Sequence, residues 1–189
     1  MATEDRFWLK SYPENVPHDV SIEQHDSLIG FIDENLKKFE DKAAYTCFIG
    51  NNQKTLSYLE VDKGAAAVAS YLQGLGLKKG AKVAIMLPNI VQYPVALFGI
   101  MRGGFIAVNT NPLYTSREIK HQFNDAEVEA VIIAENFAHE LQKVLAQTPV
   151  KHIITASIGG MFGGFKGWLI NKVLKFKGLV PKFSLPNAV

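Results

Sequence analysis

One stretch of the chain combines residues that could contact a ligand with the position at which a ligand site is expected. The apolar segment FIAV (105–108) predicts a short buried strand, and the polar, turn-forming run NTNPLYTSRE (109–118) follows it directly. In open parallel α/β sheets, ligands bind in the crevice beyond the carboxyl ends of the strands. We therefore select as candidates for a cleft or an interface the residues Asn109, Asn111, Pro112 and Tyr114.

The same run also has a purely structural interpretation. Asn side chains in turns hydrogen-bond to the backbone of the residues that follow, and Pro fixes its own φ angle. An Asn-x-Asn-Pro run can therefore form a turn without any ligand. The sequence leaves both interpretations open.

No motif in the chain predicts a catalytic or a metal-binding residue. GLGLKKG (74–80) has neither the spacing of G-x-G-x-x-G nor its place between a strand and a helix, and GGMFGGFKG (159–167) lacks the Lys-Ser/Thr pair of a phosphate-binding loop. Cys47 lies in an apolar segment, where an inert buried thiol is expected. Metal-ligand spacing is also missing among the five histidines, which stand at positions 18, 25, 121, 139 and 152.

The elements that would position the candidate turn follow from the spacing of apolar residues. Helical spacing predicts a helix over residues 27–39, and two β-prone segments predict a hairpin over residues 43–57. Beyond the hairpin, helices alternate with strands. Two of the helices begin at capping boxes, Ser57/Glu60 and Thr115/Glu118, and two more are predicted over residues 91–103 and 136–147.

Four apolar segments predict the strands of one sheet: AKVAIML (81–87), FIAV, EAVIIAE (129–135) and KHIIT (151–155). Continuous apolar runs are typical of strands that are buried on both faces. Their alternation with helices predicts an α/β fold, with a mostly parallel sheet and helices on both faces. We expect the sheet to bury the side chains of Val83, Ile85, Ile106, Val108, Val131 and Ile133.

Length and composition predict one domain with appendages. Nearly half of the 189 residues are apolar, which is enough for a sizeable core. We divide the chain into an N-terminal arm and helix (1–42), an α/β subdomain (43–156) and a basic-aromatic tail (157–189). The acidic start has no apolar signal region, no run of 18 apolar residues predicts a membrane-spanning helix, and the single cysteine fits a reducing compartment. We therefore expect a cytoplasmic location.

The tail differs from the rest of the chain in charge. Residues 1–140 hold 13 Lys/Arg and 18 Asp/Glu, whereas residues 141–189 hold seven Lys and no acid. Aromatic residues recur at helical spacing among these lysines, a composition typical of helices that lie on a membrane surface. The candidates for membrane contact are Phe165, Lys166, Trp168, Lys172, Lys175 and Lys177. The alternative is a helix whose apolar face packs on the protein itself.

A long part of the chain resembles a known family. GAKVAIMLPNIVQYPVALFGIMRGGFIAVNTNPLYTSREIKHQFND (80–125) is similar to the amino-terminal part of the adenylate-forming acyl-CoA synthetases, whose pattern is strand, Pro-Asn, helix, strand, Asn-x-Asn-Pro-x-x-Thr/Ser, helix. Together with FWLKSYPENVPHDV (7–20) and NFAHEL (136–141), it resembles the bacterial long-chain fatty-acid–CoA ligases among them. The resemblance covers essentially the whole chain.

The resemblance implies a two-step reaction. A fatty-acid carboxylate attacks the α-phosphate of ATP to give an acyl-adenylate and pyrophosphate, and the thiol of coenzyme A then displaces AMP. The family's phosphate loop, adenine-binding stretch and C-terminal lysine have no match in this sequence. The resemblance therefore implies an amino-terminal fragment, the first subdomain of an adenylate-forming enzyme. Alone it is expected to be inactive and to bind none of ATP, magnesium and coenzyme A, which the full-length enzyme uses.

Several partners follow as expectations. The resemblance implies contact with the rest of the ligase chain and with a long-chain fatty acid. The basic tail predicts peripheral contact with the inner membrane, and an apolar flank without its usual cover predicts a homo-oligomer. We expect no nucleic acid partner. The alternative function is a non-enzymatic membrane-surface or interaction module that acts through the basic tail.

Overall fold

The structure is a computed structural model that describes residues 6–19 and 25–189. The predicted N-terminal arm therefore lies partly outside the described residues, as does the end of the segment FWLKSYPENVPHDV. A short 3-10 turn, Phe7–Ser11, precedes the main elements. In chain order these are α1 Leu28–Lys38, β1 Ala43–Ile49, β2 Asn52–Ser57, α2 Tyr58–Gly74, β3 Lys82–Met86, α3 Gln92–Arg102, β4 Ile106–Asn109, α4 Ser116–Asp125, β5 Val128–Ala134, α5 Ala138–Gln142, β6 His152–Ala156 and α6 Gly164–Phe176.

The hairpin and the helix after it form as predicted. β1 and β2 pair in antiparallel fashion, and α2 begins at the end of β2. The backbone N–H of Glu60 donates to the Ser57 hydroxyl at 3.1 Å, and the Ser57 N–H donates to the Glu60 carboxylate at 2.8 Å. This capping box satisfies two N–H groups that a helix start leaves without partners, so it fixes where α2 begins.

The central sheet is parallel throughout. Its strand order is β4-β3-β5-β6, and every neighbouring pair runs in the same direction. Side chains alternate between the two faces of β3 and β5. On one face Val83 and Ile85 pack with residues of α2 and α3, and on the other Ala84 and Met86 pack with residues of α4 and α5. The prediction of a parallel sheet with helices on both faces is confirmed.

Two of the six side chains that were predicted to be buried in the sheet are not. Ile106 is 51% exposed and Val108 is only half-buried, because β4 forms one edge of the sheet. An apolar run has the same appearance in a central strand and in an edge strand. The other four predicted side chains are fully buried: Val83, Ile85, Val131 and Ile133.

The helix predicted over residues 136–147 is shorter than expected. α5 ends at Gln142, and the chain continues through a 3-10 turn at Leu145–Gln147. The backbone N–H of Val144 donates to the carbonyl of Leu141 at 3.0 Å, an i to i−3 bond that tightens the chain. Pro149 holds Thr148 in the extended region, which stops any further helix.

Helices α2 and α3 approach each other closely at a glycine. A Cβ atom added to Gly99 would lie 2.6 Å from the Val68 Cβ and 2.9 Å from the carbonyl oxygen of Ala65. Both distances are far below van der Waals contact. The absence of a side chain at this position therefore sets how near the two helices lie over the sheet.

The last thirty residues of the chain pack against this body. α6 lies beyond the carboxyl end of β6, and Ala188 pairs in parallel with Ile153 along the free edge of β6. The N–H of Val189 donates to the carbonyl of Ile153 at 3.1 Å. Across residues 6–19 and 25–189, none of the helices has the length and apolarity needed to cross a bilayer.

We expect Gly99→Ala to destabilise the chain by about 1–3 kcal/mol, because the new methyl group overpacks the α2–α3 contact. Gly74→Ala is the matched control, since it adds the same atom at the end of α2, where nothing lies within 4 Å. Urea unfolding followed by circular dichroism measures both free energies. Equal stability of the two variants would contradict the close approach.

Candidate cleft at the carboxyl edge of the sheet

Asn109 ends strand β4 and joins the helices on either side of the sheet. Its side-chain oxygen accepts a hydrogen bond from the Tyr93 hydroxyl of α3 at 2.8 Å. Its backbone carbonyl accepts from the Gln122 side chain of α4 at 3.0 Å. Because both helices attach to this one residue, Asn109 fixes the position at which the chain leaves the sheet.

Asn111 forms the turn that follows. Its side-chain oxygen accepts from the N–H of Leu113 at 3.0 Å, and its carbonyl accepts from the N–H of Tyr114 at 3.0 Å. Pro112 lies half-buried between these contacts. This geometry matches the structural interpretation of the Asn-x-Asn-Pro run, in which Asn caps its own turn. The two bonds use only the oxygens of Asn111, so its exposed side-chain N–H groups are not needed for the turn.

The turn leads into α4 through a tight polar contact. The N–H and the hydroxyl of Thr115 both donate to the Glu118 carboxylate, at 2.8 and 2.7 Å. These hydrogen bonds hold the pKa of Glu118 below its ordinary value. Next to them, the N–H of Ser116 donates to the Glu140 carboxylate of α5 at 3.1 Å. A hydrogen bond from Lys143 contributes most to lowering the pKa of Glu140.

The other strands also end at neutral polar side chains. The Gln92 amide at the start of α3 donates to the carbonyl of Ser157 after β6 at 3.0 Å. The Asn136 amide after β5 donates to the carbonyl of Leu179 at 2.6 Å. Side-chain amides of this kind can orient a ligand through hydrogen bonds, but an amide is neither a general base nor a nucleophile. Sequence reasoning missed Gln92 and Asn136, since the segments that contain them were interpreted only as the starts of helices.

The four candidate residues lie close together at the carboxyl end of β4. The structure brings Asn109, Asn111, Pro112 and Tyr114 into one continuous turn, and the Tyr114 ring packs partly buried against the core on the α4 side. Leu113, between them, is 77% exposed. The turn thus presents a large apolar side chain to solvent at the carboxyl edge of the sheet, a feature that the motif alone did not reveal.

Two cavities adjoin α3, one on each side. A cavity of about 380 Å³ lies between α2, α3 and the end of the sheet, with Tyr71, Val95, Ile132, Ile154 and Val189 in its almost wholly apolar lining. The other, about 290 Å³, lies between the hairpin and α3. Neither was predicted, because their linings come from segments far apart in the chain. Within the part of the chain that the structure describes, no three His, Cys, Asp or Glu side chains meet as a metal site.

The six membrane-surface candidates lie on α6 and at its end. The residues of α6 that are buried are Gly167 and Ile170, whereas the aromatic side chains point away from the protein. In this structure Phe165, Trp168 and Phe176 therefore do not pack on the core, and both interpretations of the tail stay predictions. Lys175 differs from the other lysines of the set, because it forms an ion pair with Glu135 at 3.4 Å.

We expect the Tyr93–Asn109 hydrogen bond to contribute about 0.5–1.5 kcal/mol of coupling energy. A double-mutant cycle of Tyr93→Phe and Asn109→Ala, measured by urea unfolding, tests this value. Tyr93→Phe combined with Asn111→Ala is the control cycle, since these two residues share no hydrogen bond in the turn. A coupling as large in the control cycle would argue against a specific Tyr93–Asn109 bond.

Comparison with known proteins shows which family the chain resembles. Residues 32–164 match the family model described as AMP-binding enzyme. The chain is 44% identical over 97% of its length to the long-chain-fatty-acid--CoA ligase of Escherichia coli O157:H7, and 33% identical over 80% of its length to that of Bacillus subtilis. It covers 32% and 26% of those two proteins, so it spans between about a quarter and a third of their length.

Solved structures of CoA ligases share this fold over about three quarters of the chain. The crystal structure of a long-chain-fatty-acid-CoA ligase from Archaeoglobus fulgidus superposes with a TM-score of 0.62 at 24% identity, over 77% of this chain and 29% of that one. A benzoate CoA ligase from Burkholderia xenovorans superposes with a TM-score of 0.61 at 20% identity, over 76% of this chain and 28% of that one. The family match, which covers most of the chain, and the shared fold together show that the chain belongs to the AMP-binding enzyme family.

Proposed function

We propose that this chain is the amino-terminal part of a long-chain fatty-acid–CoA ligase and forms the first subdomain of that enzyme. The whole enzyme would join a long-chain fatty acid to coenzyme A through an acyl-adenylate, with release of pyrophosphate and AMP. The observation that carries this proposal is the 44% identity to such a ligase over 97% of the chain.

The identities also favour one class of acid substrate. Proteins named long-chain-fatty-acid--CoA ligase from Escherichia, Salmonella and Yersinia are 42–44% identical over nearly the whole chain. A 4-coumarate-CoA ligase from Narcissus is 31% identical over 66% of the chain. The sequence identity to the first group is higher and extends over more of the chain. We therefore propose a long-chain aliphatic acid, rather than an aromatic acid, as the substrate of the whole enzyme.

The chemistry of the reaction divides between this chain and the rest of the enzyme. Adenylation needs charge stabilisation at the phosphates of ATP, which magnesium and preorganised donors supply in such enzymes. The family's phosphate loop has no match in this sequence, and magnesium at an ATP site is held chiefly by the phosphates themselves, water and one or two carboxylates. We therefore assign phosphate and metal binding to parts of the ligase outside this chain, and we assign to this chain one wall of the cleft.

That wall is the carboxyl edge of the sheet. Its turn is held from both sides by the hydrogen bonds of Asn109, so it is a fixed surface against which a second subdomain can close. The exposed Leu113 at its tip favours an apolar contact across the cleft. In this proposal Asn109, Asn111, Pro112 and Tyr114 serve as cleft or interface residues, and closure around them would exclude water from the activated acyl group.

The alternative of a non-enzymatic interaction module is not needed to explain the chain. Its basis is the tail alone, whereas the identity to ligases extends over 186 residues. We further propose a cytoplasmic location for the enzyme, which the buried, unpaired thiol of Cys47 supports.

The isolated chain of 189 residues should have no ligase activity. Incubated with ATP, magnesium, palmitate and coenzyme A, it is expected to release no pyrophosphate above the level without enzyme, because phosphate binding is assigned elsewhere. A chimera in which this chain replaces the matching first third of the Escherichia coli relative should restore palmitate-dependent release. Turnover by the isolated chain, or a folded chimera without activity, would contradict the proposal.

The substitution Leu113→Ser tests whether the turn forms an interface with the rest of the enzyme. The side chain is exposed in this chain, so its removal should change the free energy of unfolding by less than about 0.5 kcal/mol. In the chimera the same change should lower palmitate-dependent pyrophosphate release at least tenfold, since it weakens closure. Phe48→Ser, which removes another exposed apolar side chain from the hairpin, is the matched control and should leave both values unchanged. Unchanged activity of the Leu113→Ser chimera would favour a turn with no interface role.

A further inference from the structure

The smaller of the two cavities beside α3 adjoins the candidate cleft without being part of it. Its volume is about 290 Å³, and it is bounded by β1, by the turn after β3 and by the first two turns of α3. We call it the hairpin cavity. Tyr93 in its wall donates a hydrogen bond to the Asn109 side chain at 2.8 Å, so one residue contributes to both the cavity and the wall of the cleft.

The hairpin and α3 supply opposite sides of this cavity. Tyr45 and Cys47 lie two residues apart in β1, so their side chains point to the same face of the hairpin. That face is turned toward α3, because Cys47 belongs to a buried cluster that also contains Val91 and Val95. On the side of α3, Pro94 has no backbone N–H, so the first turn of the helix offers one polar group fewer to the cavity.

Aromatic and aliphatic side chains make up most of the lining. The rings belong to Tyr45, Tyr93 and Phe98, and the aliphatic members are Ile90, Val91 and Leu97. One ring comes from β1 and two come from α3, so a flat molecule between the two elements can contact aromatic side chains from both. Such ring pairs are favourable beyond the area that they bury. The lining therefore suits an aromatic ligand.

The polar groups of the lining are neutral. Among the described residues that line the hairpin cavity, none has an acidic or a basic side chain. Tyr45, which is 39% exposed, and the exposed Asn89 stand at its rim. Burial raises the pKa of the Tyr45 hydroxyl, so this group stays an uncharged donor and acceptor, and the Asn89 amide offers both functions as well. An ion would lose hydration in the cavity without gaining a counter-charge.

We propose that the hairpin cavity binds an uncharged aromatic molecule that carries a hydroxyl or an amide group. A water molecule occupies about 30 Å³ in the liquid, so the cavity accommodates roughly ten non-hydrogen atoms, the size of a phenol with two fused rings. The ring system lies between β1 and α3, and its polar group bonds to Tyr45 or Asn89 at the rim. This site goes beyond the proposed ligase function, whose acid substrate is an anion, and does not depend on it.

Three ligands of similar shape test the chemical class. Isothermal titration calorimetry at neutral pH should show that 2-naphthol, which is uncharged, binds the isolated chain at a single site. The anion 2-naphthoate should bind at least tenfold more weakly, because the cavity offers no counter-charge. Decahydro-2-naphthol keeps the hydroxyl but has no aromatic ring, and it should bind about threefold to tenfold more weakly.

Substitutions locate the bound molecule. Tyr45→Ala and Asn89→Ala remove the two rim groups, and each should weaken the binding of 2-naphthol at least threefold. Leu97→Trp fills the cavity from α3 and should weaken it at least tenfold. The matched control is Phe48→Ala, which removes an exposed aromatic side chain from the other face of β1 and should leave the affinity unchanged. Circular dichroism verifies that all variants are folded.

The thiol of Cys47 reports independently on whether the cavity is occupied. It is the single cysteine of the sequence, and it lines the hairpin cavity. Methyl methanethiosulfonate is small enough to enter and should modify this thiol in the free chain. Saturating 2-naphthol should slow the reaction at least fivefold, whereas 2-naphthoate at the same concentration should not.

Each contrary result overturns the proposal. Absence of binding, equal binding of 2-naphthol and either analogue, or an equal loss of affinity in Phe48→Ala and Tyr45→Ala would do so. A Cys47 thiol that does not react in the free chain would show a cavity closed to small molecules. The chimera of full ligase length must also bind 2-naphthol, because a cavity that the rest of the enzyme fills is no ligand site. Since binding is measured without turnover, an inactive chimera that binds 2-naphthol would contradict the proposed function alone.

Discussion

The structure depends on one constraint, that the backbone groups of a strand buried on both faces must be satisfied by neighbouring strands. β3 meets it by pairing with β4 on one side and β5 on the other, both in parallel. Parallel pairing aligns the strand directions, so the chain leaves every strand at the same edge. Helices must then return over the faces of the sheet, and the close approach of α2 and α3 at Gly99 is one result.

The concentration of polar side chains at one edge is a further consequence. The chain has to leave a dry interior there, and its exposed backbone groups need partners. The side-chain amides of Gln122, Gln92 and Asn136 supply them by donating to the backbone carbonyls of Asn109, Ser157 and Leu179. The same bonds that complete the fold thus create a stiff polar wall. The Escherichia coli O157:H7 relative is about three times as long as this chain, and the proposed function assigns this wall to a contact with the rest of such an enzyme.

The tail carries a surface whose composition differs from that of the polar edge of the sheet. The backbone contact between Gly159 and Gly167, and the hydrogen bond that Asn171 accepts from the Gly159 N–H, fix the position of α6. The buried side of the helix is small, since its buried residues are Gly167 and Ile170. The larger, aromatic side has no such cover among the described residues and carries lysines without acids.

The sequence by itself determined the elements and their class. The continuous apolar runs, the Ser57/Glu60 capping box and the alternation of helices with strands predicted the parallel sheet, because these signals are local and depend on spacing along the chain. The resemblance of residues 80–125 to the family was likewise local. Only the tertiary structure decided that β4 is an edge strand with Ile106 exposed, and that the aromatic side of α6 faces solvent. It also decided which side chains line the cavities beside α3. These properties depend on which segments lie next to each other across the fold, and the spacing of residues along a chain does not encode that adjacency.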